Sequence, residues 1–328
     1  MIKSFVAALL TVLLVTGTVA LIRKVQSGKT PVAAKESNSA TVAQSETQPQ
    51  RIAFVSNTVG IVSFVDTPSG RLSNLNVPAA GFVRSITEWR GMLVVGAGES
   101  GLATDSGISD NGLFVIDLVD GKVQRLRDKN TAGEVTFCTA TTDALWVIVN
   151  DRLVVTSDLK DFKEIMHGAR AVFPWNESTV VVQGHDNALS AFHYSNGMFL
   201  ELAVSSRSSP QALIAVCGGN AVYFGGLSSQ IRVGEADDFL TSRSTALDTR
   251  RLNRSGQQSY LVASNTTGSE LAVIWMWEGP RAGLAIQFVT QRWEEVAVMG
   301  RSAAAAVILS ASALDATDRL IDAKRKWR

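Results

Sequence analysis

The sequence predicts an all-β fold from about residue 51 onward, and three observations predict it. Short runs rich in Val, Ile, Leu, Phe and Trp alternate with polar turns. The turns recur at roughly 8–12-residue intervals, the spacing of short antiparallel strands. A two-hairpin unit then repeats along the chain, and repeated four-stranded units are the mark of β-propeller blades.

The repeat is clearest at its second hairpin, where a strand enters a polar turn and an aromatic opens the next strand with an acid close behind. Val154-Val155-Thr156-Ser157-Asp158 leads to Phe162-Lys163-Glu164, and Ala191 to Gly197 leads to Phe199-Leu200-Glu201. Ile231 to Gly234 leads through Asp237-Asp238 to Phe239, and Ile286 to Thr290 leads to Trp293-Glu294-Glu295. Val115 to Leu118 leads through Asp120-Gly121 to Val123, without the aromatic. Asp, Asn and Gly suit these positions because they tolerate the backbone angles of tight turns. The first hairpins pair Phe82–Thr87 with Met92–Gly96, Val135–Thr139 with Ala144–Val149, and Ala171–Trp175 with Thr179–Gln183. They continue with Leu213–Cys217 and Ala221–Phe224, then Tyr260–Ser264 and Leu271–Trp275.

Five complete blades fall between about 82 and 298. The segment 51–76 supplies three strands, Ile52 to Val55, Val59 to Val65 and Arg71 to Asn76. The last strand, Ala303 to Leu309, completes a sixth blade with them, because an open ring would leave unpaired edges. The weak element is Ala303 to Ala306, since alanine favours helix.

The turn pattern resembles a degraded form of the Asp-box repeat of sialidase-like propellers, with Thr156-Ser157-Asp158 and Phe162 as its nearest match. The family's full Ser-x-Asp-x-Gly-x-Thr-Trp string is absent. The resemblance implies the fold; it carries over neither the sialidases' arginine triad nor their nucleophilic tyrosine.

Four segments are expected along the chain: 1–24 an anchor or leader, 25–50 a tether, 51–310 the propeller and 311–328 a C-terminal helix with a basic end. Ser4 to Ile22 is uncharged and lies between Lys3 and Arg23-Lys24. At about 1.5 Å per residue it matches a hydrocarbon layer of about 30 Å. A membrane-spanning helix over residues 4–22 is the first reading. A cleavable signal peptide, with Thr18-Val19-Ala20 as the small-residue site, is the second. Gln26 to Gln50 is rich in Ser, Thr, Ala, Gln and Lys and too poor in large apolar residues to fold alone. A head held off a membrane follows. The basic start and apolar run favour an exported head, periplasmic or extracellular, while the positive-inside count favours a cytoplasmic one.

Composition removes several functional classes. Apolar residues are 46% and charged residues 19% of the 328, and the net charge of +1 gives no field for nucleic acid. Two cysteines, Cys138 and Cys217, exclude a disulfide scaffold and a multi-cysteine metal site. They fall in blades that are not neighbours and read as small buried hydrophobes. His185 and His193 could face one another across a hairpin, but a third metal ligand is missing. The tryptophans read as blade core, and Gly218-Gly219 and Gly225-Gly226 as turns. No Ser-His-Asp spacing or phosphate-binding loop stands out, and no cofactor is called for.

Binding residues concentrate on loops held by a rigid scaffold. In a four-stranded meander, the loop between the second and third strands emerges on the same face as the connection to the next blade. Two long loops fall there. Residues 97–112 offer Glu99, Asp105, Asp110 and Asn111, oxygen donors of the kind Ca²⁺ takes; residues 244–258 offer Arg250, Arg251 and Arg254. A protein partner at this face is the first functional reading. A Ca²⁺-dependent hydrolase in the channel is the second, drawing on Glu88, Glu134, Asn150 and Asn265. In the terminal helix, Asp315, Asp318 and Asp322 precede Lys324, Arg325, Lys326 and Arg328, an order that suits the helix dipole. Leu314, Leu320 and Ile321 are its expected apolar stripe.

Overall fold

The computed structural model describes residues 50–56, 61–67, 72–76, 82–98, 111–186, 188–195, 198–205, 213–217, 220–225, 230–235, 245–246, 258–265, 271–277, 283–288, 293–296 and 303–326. All of them lie in one compact unit, Gln48–Arg328. The predicted span 4–22 and most of the predicted tether lie outside the described residues. Among the described residues, no helix is long and apolar enough to cross a membrane.

Six antiparallel four-stranded sheets follow one another along the chain. Strands β4 (Phe82–Trp89), β5 (Met92–Gly98), β6 (Gly112–Asp117) and β7 (Val123–Leu126) make one. The next comprises β8 (Val135–Ala140), β9 (Leu145–Val149), β10 (Arg152–Thr156) and β11 (Lys163–His167). β12 (Ala169–Pro174), β13 (Thr179–Gly184), β14 (Leu189–Ser195) and β15 (Met198–Ser205) follow. Then come β16 (Leu213–Cys217), β17 (Asn220–Gly225), β18 (Gln230–Glu235) and β19 (Thr245–Ala246), and after them β20 (Gln258–Ser264), β21 (Leu271–Trp277), β22 (Gly283–Phe288) and β23 (Trp293–Val296).

The remaining sheet joins the two ends of the domain. Its order is β24 (Ala303–Ile308), β1 (Gln50–Ser56), β2 (Ile61–Thr67) and β3 (Leu72–Asn76). Ala303–Ala306 is strand despite its helix propensity, because β24 pairs with β1 from Ile52↔Ile308 to Ser56↔Ala303 and the unpaired edge of β1 is thereby covered. Tertiary pairing overrides the alanine preference.

The first strand of each sheet abuts the first strand of the next. β4 lies beside β8, β8 beside β12, β12 beside β16, β16 beside β20, β20 beside β24 and β24 beside β4. The cycle closes, so these six strands form the inner wall and the later strands of each sheet extend outward. Between sheets the core is apolar. Trp89, Val94, Val115, Cys138, Val147 and Phe162 fill one interface, and Trp146, Ile148, Val155, Val172, Val180 and Phe192 the next. Trp146 is fully buried, and its indole N–H donates to Thr141 Oγ1 at 3.2 Å.

Helix α1 (Ala311–Lys326) follows β24 directly. Its buried face is Ala313, Ala316, Thr317 and Leu320, packed with Leu93, Phe114, Ile116 and Leu118. Of the expected stripe, Leu320 belongs to this face and the half-buried Ile321 packs against the same core, whereas the half-buried Leu314 does not. The small residues at 313 and 316 allow the helix to approach the sheets closely. The helix also has no acid in its first turn, so the expected dipole arrangement starts too late. Ser310 caps it instead, its Oγ accepting from the Ala313 N–H at 3.3 Å.

Candidate functional site: the upper loop face

The N-terminal ends of the inner strands define one face, termed upper. The connections into β8 and β12 emerge there, as do the turns β9–β10 and β13–β14. This is the face to which the sequence assigned the two long loops. Of the seven residues nominated on them, Asn111 is described. It is buried, and its backbone carbonyl accepts from the Arg125 guanidinium at 2.5 Å. Glu99, Asp105, Asp110, Arg250, Arg251 and Arg254 lie outside the described residues.

What the structure does bring together on this face is a polar track across three sheets. Arg84 Nη2 stands 3.4 Å from Glu134 Oε1, with the two side chains 51% and 40% exposed. The pair crosses over Gly98, where a Cβ would come within 2.5 Å of Glu134 Oε1 and 3.0 Å of Arg84 Nε. The Glu134 N–H donates to Asn150 Oδ1 at 3.0 Å, and the Asn150 N–H donates back to the Glu134 carbonyl at 3.1 Å. Asn150 and Asp151 form the β9–β10 turn with φ of 48° and 64°, the left-handed angles that Asn and Asp tolerate. The Asp151 carbonyl accepts from the Ala169 N–H of β12 at 3.0 Å, and its carboxylate lies 3.3 Å from His185 Nε2 in the β13–β14 turn. His185 is fixed in turn by donation from its N–H to the Gly168 carbonyl at 3.1 Å.

The inner strands carry a second regularity on the same face. Where each pairs with its neighbour, one extra residue interrupts the register: Arg84 in β4, Thr136 in β8, Arg170 in β12, Ile214 in β16 and Ala304 in β24. Only β20 pairs without interruption. A bulge re-aims its side chain and tightens local twist. Arg84 and Arg170 are accordingly exposed although Val83, Ser85, Ala169 and Ala171 around them are buried. Sequence reasoning missed both. The available signal was a charge interrupting a run of small and apolar residues at the same place in two inner strands.

The channel quartet nominated for a metal does not converge. Glu134 and Asn150 are on the upper face. Glu88, next to last in β4, and Asn265, just after β20, belong to the opposite ends of the inner strands. Glu88 is also engaged: its carboxylate accepts from the Ser310 N–H at 2.6 Å and from the Ser310 hydroxyl at 2.5 Å. Burial nevertheless pushes its carboxyl above the usual range, against the lowering effect of those two bonds. No metal-binding cluster of three His, Cys, Asp or Glu occurs among the described residues. His185 and His193 do not face one another either. His193 pairs with Thr179 across the sheet and its Nδ1 lies 3.3 Å from Thr179 Oγ1, while His185 belongs to the track.

The acid that suggested an Asp-box is a turn former. Asp158 Oδ1 accepts from the N–H groups of Lys160 at 2.9 Å and Asp161 at 3.0 Å, which hold its carboxyl below the usual range. Asp117 and Asp120 accept from Val119 and Lys122 in the corresponding turn of the preceding sheet, both at 2.7 Å.

Four-stranded antiparallel sheets set in a closed cycle define a β-propeller. No protein family matches the sequence, and no curated protein matches it. Solved structures resemble it in fold. A chain of the nidogen/laminin complex aligns at 8% identity with a TM-score of 0.51, covering 79% of this chain and 98% of that one. The N-terminal domain of Nup159 aligns at 11% identity with a TM-score of 0.41, covering 76% of this chain and 74% of that domain. At these identities the likeness is one of fold alone.

Proposed function

We propose that this chain is a non-enzymatic, six-bladed propeller that binds a protein partner through its upper loop face. The observation that carries this reading is the track from Arg84 to His185. Exposed charged groups are fixed there by bonds between sheets, so a partner meets a surface ordered in advance. The complex of nidogen with laminin, in which a chain of similar fold takes part, is in keeping with it.

The head spans residues 51–310, with 311–328 as a helical appendage. The apolar segment 4–22 tethers it to a membrane, and 25–50 sets its distance. The head is exported. The Ca²⁺-hydrolase reading finds no favouring observation, because its ligands divide between opposite ends of the inner strands.

Photo-crosslinking amino acids at Asp151 and Asp186 on the upper face, and at Val119 and Lys122 on the lower, test the proposal in cells. A discrete protein adduct from the upper positions alone is expected. Adducts from the lower positions only, or from none, overturn it.

A further inference from the structure

We infer that the outer strand β15 is a self-association edge, at which two copies of this chain pair their sheets across a two-fold axis. Each sheet ends in an outer strand, and β15 is bonded within its sheet to β14 alone. It is the longest of the six outer strands, eight residues against two to five. A free edge presents backbone N–H and C=O groups that another strand satisfies, and proteins guard such edges with short strands or charges. β19 has two residues, while β7 carries Arg125, β11 Lys163 and Glu164, and β23 Glu294 and Glu295. β15 has no Pro, Lys or Arg, and its one charge is Glu201. Met198 and Leu200 on it are 72% and 57% exposed, two of the three large hydrophobics exposed among the described residues.

The strand's own sequence selects the occupant. Met198 and Leu200 are two positions apart and so share one face of the sheet. Antiparallel pairing centred on Phe199 sets Met198 of each copy directly opposite Leu200 of the other. The two-fold thus covers both exposed side chains in two identical cross-strand pairs. The same register keeps like charges apart. The two Glu201 residues stand four positions from one another, about 13 Å at about 3.3 Å per residue, beyond a screening length of about 8 Å. The other ionisable side chains of β14 and β15 are His193 and Tyr194. His193 lies across from Leu200 with its Nδ1 3.3 Å from Thr179 Oγ1, and the Tyr194 ring packs edge-on against Trp146 at 6.3 Å. Leu202 has no partner in β14, and this bulge ends the regular segment just past Glu201. The overlap is therefore short, with a buried area below about 1,200 Å², and the dimer is reversible. Met198 follows the β14–β15 turn at the lower end of its sheet. The contact leaves the upper face free and does not rest on the partner-binding reading.

Disulfide trapping with the full chain in detergent micelles tests the register. Met198→Cys and Leu200→Cys alter exposed positions, and thermal melts verify that both variants are folded. Directly opposed residues lie within about 5.5 Å between Cα atoms, inside disulfide range, whereas residues two positions off exceed about 7 Å. The two variants mixed should therefore form an intermolecular disulfide, identified by mass spectrometry of the joined peptides, that neither forms alone. Sedimentation velocity should show a concentration-dependent dimer. Leu200→Lys should weaken it about tenfold, and Val119→Lys, at an exposed apolar site on another sheet, should leave it unchanged. A photo-crosslinking amino acid at Leu200 in cells should give an adduct of two copies. Equal trapping in all three samples, monomer at every concentration, a dimer indifferent to Leu200→Lys, or an adduct with a different protein overturns the inference. The adducts at Asp151 and Asp186 test the partner-binding reading separately, so either reading fails without the other.

Discussion

Glu88 places both carboxylate oxygens on one residue, Ser310, which is also the cap of α1. The acid on β4 thereby holds the chain where β24 ends and the helix begins. Removing it by Glu88→Ala leaves a half-buried N–H without its acceptor, a loss of about 1 kcal/mol, measurable by chemical denaturation. Its titration has a definite sign. The folded value is raised, so the folded state holds the proton more tightly than the unfolded chain. The stability from this group is complete below about pH 4, the ordinary carboxylate range, and is lost as pH rises through the folded value. Melting curves of the native protein and Glu88→Gln should therefore converge or cross as pH rises toward neutrality. A gap that widened in favour of the native protein would contradict this. Among the described residues, Cys138 is the other buried group whose titration is shifted. Burial pushes its thiol up to about 12, against a 3.2 Å hydrogen bond from Ser85 Oγ to its sulfur. It should resist iodoacetamide at pH 8 in the folded protein and react on unfolding, as read by mass spectrometry.

At the scale of elements, the repeat was legible because hairpins with Asp-Gly-type turns leave a strong local signature. Asp117, Asp120 and Asp158 each accept hydrogen bonds from backbone N–H groups in their own turns, as the composition of those turns implied. The inner-strand bulges left only a faint trace, the charges at Arg84 and Arg170, since a bulge depends on the partner strand's register as well as on its own sequence. Of the tight approaches at the upper turns, the closest among the described residues is at Gly133. Gly133 has φ of 128°, and a Cβ there would lie 2.1 Å from Asn150 Nδ2. Gly133→Ala should cost about 1–3 kcal/mol and disturb the Glu134–Asn150 bonds, while Gly168→Ala, with open space around it, should suffer from its φ of 73° alone. Comparing the two by denaturation separates steric from backbone strain. In α1, Leu320→Ala should cost about 2–5 kcal/mol, whereas Leu314→Ala, on the half-buried flank, should cost less. Helical periodicity located this helix and, in Leu320 and Ile321, part of its packed face, but missed Ala313, Ala316 and Thr317, because alanine and threonine look neutral in a hydrophobicity pattern.

At the scale of the whole molecule, closure of the ring fixes everything else. It joins residues 50–56 to residues 303–308, assigns an upper end to every inner strand, and gathers Arg84, Glu134, Asn150, Asp151, Arg170 and His185 on one face. The need for closure was visible in sequence as three strands at one end and one at the other. The site was not, because its residues come from strand ends and short turns whose neighbours only the ring determines. Cysteines introduced at Ala53 and Val307, which face one another across the closing pair, test the ring directly. Directly paired antiparallel residues lie within about 5.5 Å between Cα atoms, inside disulfide range. On oxidative refolding, an intramolecular disulfide should form in Ala53→Cys/Val307→Cys and not in the register-shifted Ala53→Cys/Ile308→Cys. A bond in the shifted pair, or none in either, would contradict the closed ring.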